Sequence, residues 1–159
     1  MKPKILKSIA LMACLSLFSF QCDEDDVNPN DNSLKKAAIE LNMQDGTWRI
    51  SSYVDSGQNE TSDFAGYIFA FSSTGALIAS NGAMTKQGIW SVNDDNSSDD
   101  DSNDDNDIDF NIVFDVAETD DFDDLNDDWD IVSHSSTQLQ LRDVSGGYGS
   151  VDTLTFTKN

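Results

Sequence analysis

Cysteine and histidine are scarce in this 159-residue chain, which has Cys14, Cys22 and a single histidine, His134. Cys14 lies in an N-terminal segment whose composition marks it for removal, so a Cys14–Cys22 disulfide would have to form in a region destined to be cut away. Positive charge is also rare: nine Lys and Arg stand against 30 Asp and Glu, a formal charge of −21. A field of that sign repels phosphate backbones and anionic headgroups, which excludes nucleic-acid binding and leaves cations or basic proteins as electrostatic partners. The chain also lacks any apolar run near the roughly 20 residues that a spanning helix needs. No helical pattern long enough to cross over between parallel strands falls between its strand-like segments.

What is present begins with Lys2, Lys4 and Lys7, then an apolar stretch from Ile9 to Phe20, with no acid before residue 22. That is the pattern of a secretory signal peptide, assigned here to residues 1–21. Its removal takes three lysines and no acid, leaving six basic against 30 acidic residues and a formal charge of −24. The roughly 135 residues that remain suffice for one domain with a modest core. Residues 23–33, DEDDVNPNDNS, have the composition of a solvated tether. The expected organisation is therefore a signal peptide at 1–21, Cys22 with an acidic tether at 22–33, and a folded domain at 34–159.

The stretch Ser19-Phe20-Gln21-Cys22 resembles the lipobox of bacterial lipoproteins. The resemblance implies cleavage before Cys22, a diacylglycerol on its thiol and an acyl chain such as palmitate on the new amino terminus. One acyl chain holds a protein marginally, at about 0.8 kcal/mol per buried CH₂, whereas two or three hold it firmly. An acylated Cys22 leaves no free thiol for Cys-His catalysis or zinc. The rival reading is a plain signal peptide with a free thiol at Cys22. The acids after Cys22 resemble an export signal that places lipoproteins on the outer face of the outer membrane, so the expected location is the cell surface, with the periplasmic face as the alternative.

Leu34, Ala37, Ala38 and Leu41 repeat with a helical period and Ser33 is available as a cap, which predicts a short helix buried along that stripe. Beyond it the period becomes two. Trp48 and Ile50 alternate, followed by Tyr67, Phe69 and Phe71, by Leu77 and Ala79, by Trp90 and Val92, and by Phe110, Ile112 and Phe114. Trp129 with Ile131, Leu139 with Leu141, and Leu154 with Phe156 complete eight half-buried strands. Turn signals at residues 72–75, at Asn81-Gly82, at Ser135-Ser136 and at Gly146, Gly147 and Gly149 favour antiparallel neighbours. Phe122, Leu125 and Trp129, with Asp120 as a cap, predict a short amphipathic turn that lids one end. The fold class read from these patterns is all-β, an antiparallel up-and-down eight-stranded barrel with a short N-terminal helix.

Gly46-Thr47-Trp48-Arg49-Ile50 and the later Gly88-Ile89-Trp90-Ser91-Val92, with the strand Phe64 to Phe71 and the ending Asp152 to Phe156, resemble small bacterial lipocalin-like lipoproteins. The resemblance covers roughly residues 46–157 and implies a lipocalin-like barrel that binds a small apolar ligand. The inward residues are bulky, however, and an eight-stranded barrel has room either for its own side chains or for one small ligand. A filled core is the expectation.

Four sets of residues invite a chemical reading. Eight of the fifteen residues from Asn93 to Asp107 are Asp, and within them Asp99, Asp101, Asn103 and Asp105 alternate as calcium ligands would. The EF-hand pattern requires Gly where Asp104 stands and Glu where Phe110 falls, so a solvated charge run is the stronger reading. A second acidic group, from Glu118 to Asp130, contains carboxylate pairs that could serve glycoside hydrolysis, but acids this abundant form such pairs by chance. His134 shares strand parity with Val132 and should point outward, without a nucleophile elbow to serve. The polar loop from Asp55 to Asp63 could stand at the barrel mouth, with Asp55, Gln58, Asn59 and Glu60 as partner contacts. Asn59-Glu60-Thr61 and Asp152-Thr153-Leu154 also fit glycosylation patterns without further support. The functional expectation is a monomeric, membrane-anchored binding or accessory module without a cofactor and not an enzyme. Its rivals are an acidic inhibitor or receptor for a basic protein, and a hydrolase.

Overall fold

A computed structural model describes residues 32–94, 108–144 and 150–159. A helix, α1 (Asn32–Gln44), leads into β1 (Trp48–Asp55) and a two-residue strand β2 (Gln58–Asn59). Then come β3 (Ile68–Phe71), β4 (Ala76–Ser80), β5 (Thr85–Asp94), β6 (Ile108–Phe114), β7 (Asp127–His134), β8 (Gln138–Asp143) and β9 (Asp152–Lys158). Each strand pairs antiparallel with the next from β3 to β9, and β1 pairs with both β3 and β9, closing an eight-stranded barrel to which β2 is an appendage. All eight strands expected from the alternation are present, and every residue named above as inward along them is buried.

Short turns set the register. Asn81 Oδ1 accepts from the backbone N–H groups of Ala83 and Met84, and Gly82 takes φ +84, so the β4–β5 hairpin sits where Asn-Gly placed it. The β3–β4 turn closes with Gly75 N–H on Ser72 O. Gly88 is required for a different reason: a β-carbon there would stand 2.5 Å from the carbonyl oxygen of Val113, on the adjoining strand. The G-x-W pattern at this strand therefore reports close backbone approach.

Closure is asymmetric. On one side β1 runs beside β9 from Trp48↔Lys158 to Val54↔Thr153, with a bulge between Ile50 and Ser52. On the other, β1 and β3 share one bridge, Trp48↔Phe69. Further along β1 the side chain of Thr61 substitutes for a strand, since Tyr53 N–H donates to Thr61 Oγ1 and the Thr61 hydroxyl donates to Tyr53 O.

Rings fill the interior. Phe122 packs against Phe64, Tyr67, Phe69 and Phe114 with centroids 4.8–6.1 Å apart, and Phe71 meets Trp90, Phe110 and Phe156. These contacts belong to one cluster that runs from Ile39, Met43 and Trp48 at the helix end to Tyr53, Phe64 and Leu125 at the other. No polar or charged residue among those described is buried in it.

Two expectations need correction. The helix forms, but the stripe Leu34, Ala37, Ala38 and Leu41 faces outward, with Leu34 55% and Leu41 69% exposed. The helix instead buries Ile39 and Met43, one turn apart, because this face plugs the barrel and because Trp48 Nε1 donates to Met43 O, satisfying a carbonyl in the helix's last turn. The predicted turn at 122–129 is a 3-10 turn of three residues, Asp123–Leu125, and Trp129 belongs to β7. Asp120 does act at its start, accepting from Phe122 N–H, and Trp129 Nε1 donates to Leu125 O.

Candidate functional site

The two ends of the barrel are built differently. At the helix end, α1 closes the opening, and Asn32 Nδ2 donates to Asp94 Oδ1 at the end of β5 (3.0 Å). At the opposite end the β1–β3 and β6–β7 connections gather beside the end of β8 and the start of β9. Two 3-10 turns, Thr61–Phe64 and Asp123–Leu125, bury Phe64 and Leu125 there and leave their acids outward.

Those acids come from segments distant in sequence. Glu60 lies in the field of Asp55, Asp63, Asp121 and Asp124, and its carboxyl is held above the ordinary range by lost hydration first and by these charges next. Asp124 is raised for the same reasons, with Asp55, Asp121, Asp123 and Asp63 around it. The Tyr53 hydroxyl, beneath them, donates to Asp124 O at 2.9 Å. Its ionisation is pushed well above the usual tyrosine range by burial and then by Asp55, Asp124, Asp152 and Glu60. The arrangement is a dense negative face on a rigid aromatic floor, since Tyr53 also meets Phe64 and Trp129 edge-on.

Of the expected partner contacts, Asp55 and Glu60 join this face. Gln58 and Asn59 do not form a free loop: they pair as β2 with Asp55 and Val54, and Asn59 Oδ1 accepts from Thr61 N–H. Asp120 is drawn aside to Lys86, which also lies 5.7 Å above the Phe122 ring. That contact lowers the Asp120 carboxyl and raises the Lys86 ammonium, in each case mainly through their hydrogen bond. Asp130 pairs with Arg142 at 3.2 Å. Asp127 rises to about 6 through lost hydration, its hydrogen bond with Asp128 and the nearby Asp143 charge.

Among the described residues, no three His, Cys, Asp or Glu side chains assemble a metal site. The calcium candidates Asp99, Asp101, Asn103 and Asp105 lie outside the described residues, as does Cys22 with the signal and tether segments. No described helix is long and apolar enough to cross a membrane. His134 is exposed, as expected, but not by parity: a bulge between Ile131 and Ser133 sets it opposite the buried Leu139, and it stays outside because it is the last residue of β7.

Sequence reasoning missed Tyr53 as the buried support of the acidic face, and Lys86 as the clamp on Asp120. Scarcity could have flagged Lys86: a lysine in a chain so poor in positive charge has many acids to choose from. It also missed Arg49, which lines a surface groove of about 460 Å³ along the β1–β3 seam.

No protein-family model and no curated protein matches the chain. Among solved structures, a crystal structure of a DUF4847 family protein from Bacteroides vulgatus aligns with 15% identity over 76% of this chain and 97% of that one, with a TM-score of 0.45.

Proposed function

We propose that the protein is an outer-membrane lipoprotein, anchored through Cys22 and displayed at the cell surface, whose lipocalin-like barrel serves as a non-enzymatic binding module for a basic protein. The observation that carries the reading is the gathering of acids at the end opposite the chain's entry. The chain enters the fold at the helix end, beside Asp94, while Asp55, Glu60, Asp63, Asp121 and Asp124 converge at the opposite end. An anchor on the near side of the domain leaves that acidic face turned away from the membrane. The rings that fill the barrel favour recognition on its outside over an apolar ligand within. A face of this charge accelerates encounter with a cationic partner, and its attraction is screened beyond about 8 Å at physiological salt.

The anchor is tested by the intact mass of membrane-extracted protein: a mature chain starting at Cys22 with diacylglycerol and a further acyl group is expected, and an unmodified Cys22 sinks the anchor. The face is tested by titrating a cationic protein of pI above 9 at rising salt. Binding should fall steeply with ionic strength and weaken in Asp55→Asn, Glu60→Gln and Asp124→Asn, while Asp45→Asn at the helix end leaves it unchanged. Equal losses from both ends would reduce the effect to bulk charge.

A further inference from the structure

The seam between β1 and β3 carries a second feature, independent of the acidic face. Beyond the single Trp48↔Phe69 bridge the two strands part, and a groove of about 460 Å³ opens on the outer wall. That volume lies within the range of small-molecule sites. Arg49, Ser51, Thr61, Ser62, Ile68 and Asn159 line it, and none of its lining side chains is acidic, in a chain with 30 acids.

Arg49 is unusual for a basic residue here. Lys36, Lys86, Arg142 and Lys158 each hold a carboxylate within 4.0 Å, whereas among the described residues Arg49 has none. Lys35 has none either, but it stands on α1, away from the groove. A guanidinium left without a partner presents its planar fork to a carboxylate, which it takes with two parallel hydrogen bonds.

The rest of the lining narrows the class. The Thr61 hydroxyl already donates to Tyr53 O and accepts from Tyr53 N–H, which leaves it one lone pair, and that of Ser51 lies 2.8 Å from Thr157 Oγ1 and 3.2 Å from Thr155 O. A hydroxyl has one proton and two lone pairs, so these oxygens retain capacity to accept from a ligand's own hydroxyls. Asn159 Nδ2 spends one proton on Thr47 Oγ1 and keeps a second. Ile68, 48% exposed, offers an apolar wall beside them.

We propose that this groove binds a small hydroxylated carboxylic acid of the sugar-acid class, its carboxylate forked on Arg49, its hydroxyls donating to Thr61 and Ser51, and the C–H face of its ring against Ile68. The carboxylate requirement separates this site from the acidic face, which would repel the same ligand.

The test is a calorimetric titration of the intact purified protein with glucuronate and with glucose, which differ at one carbon, a carboxylate against a hydroxymethyl group. Glucuronate should bind at least tenfold more tightly than glucose, because only its carboxylate can take a charge-assisted contact from Arg49. Arg49→Gln should remove that preference. Arg49→Lys should retain only part of it, because an ammonium cannot fork. Arg49 is exposed, and unchanged thermal unfolding of each variant shows that the loss is local. Equal binding of the two sugars, no binding of either at millimolar concentration, or full glucuronate affinity in Arg49→Gln would each overturn the assignment.

Discussion

Replacing Gly88 by alanine isolates the close approach of β5 to β6. The new methyl would meet the Val113 carbonyl oxygen at 2.5 Å, the Phe114 ring at 3.0 Å and Phe114 Cα at 3.1 Å. Two of these three are backbone atoms, held by the seven-residue register from Gly88↔Phe114 to Asp94↔Ile108, so the neighbour cannot rotate away. Relief requires the ladder to separate there, next to the fully packed Trp90 and Phe114. Overpacking of this kind costs about 1–3 kcal/mol and occasionally more. Alanine returns about 0.4–1 kcal/mol by restricting the unfolded chain. The net expectation is a loss of about 1.3 kcal/mol. With a urea slope of about 1.5 kcal/mol/M for a domain of this size, the unfolding midpoint should fall by about 0.9 M at unchanged slope. Gly66→Ala supplies the comparison. Nothing lies within 4 Å of its β-carbon position, so its cost comes from φ +82 alone, about 1–2 kcal/mol. A Gly88→Ala midpoint within 0.3 M of wild type (about 0.5 kcal/mol at that slope) would refute the steric reasoning.

Phe122→Ala should cost about 3–5 kcal/mol, measured as a urea midpoint shift, since this one ring touches Phe64, Tyr67, Phe69 and Phe114. Trp48→Phe should lose about 1–2 kcal/mol by leaving the Met43 carbonyl without its indole donor, and amide exchange in α1 should quicken with it. Asp127, raised from 3.8 to about 6, binds its proton more tightly folded than unfolded, so its contribution is full below pH 4 and is lost as pH rises through 6. Asp127→Asn should therefore be the more stable protein above pH 6 and equal to wild type below pH 4. A rise of that size corresponds to about 3 kcal/mol for a fully buried group, reduced by solvent to about 1 kcal/mol here; stability curves at pH 4 and pH 7 check both sign and window.

The strands were legible because their inward faces carry large rings at period two, from Phe69 and Phe71 through Phe110, Ile112 and Phe114, and that spacing has one burial solution. The helix had two. Leu34, Ala37, Ala38 and Leu41 form a regular stripe, yet Ile39 and Met43 form another. Only the position of Trp48, whose indole reaches the Met43 carbonyl, decides between them. Asp55 and Glu60 could be nominated from their loop, but their meeting with Asp121 and Asp124 depends on how the barrel brings the β1–β3 and β6–β7 connections to one end. Arg49 was invisible for a related reason. Its significance lies in the lack of a nearby carboxylate, a property of neighbours and not of the residue.

The pairing of β1 with β9 has a consequence for biogenesis. Ser51 bonds to Thr155 across 104 residues of sequence, and on its other flank β1 has a single bridge to β3. The hairpins from β3 to β8 can form as soon as each is complete, because their contacts are local. The cylinder cannot shut until β9 arrives, and among the described strands β9 is the last to be synthesised. Until then the strands already made can pair as no more than an open sheet.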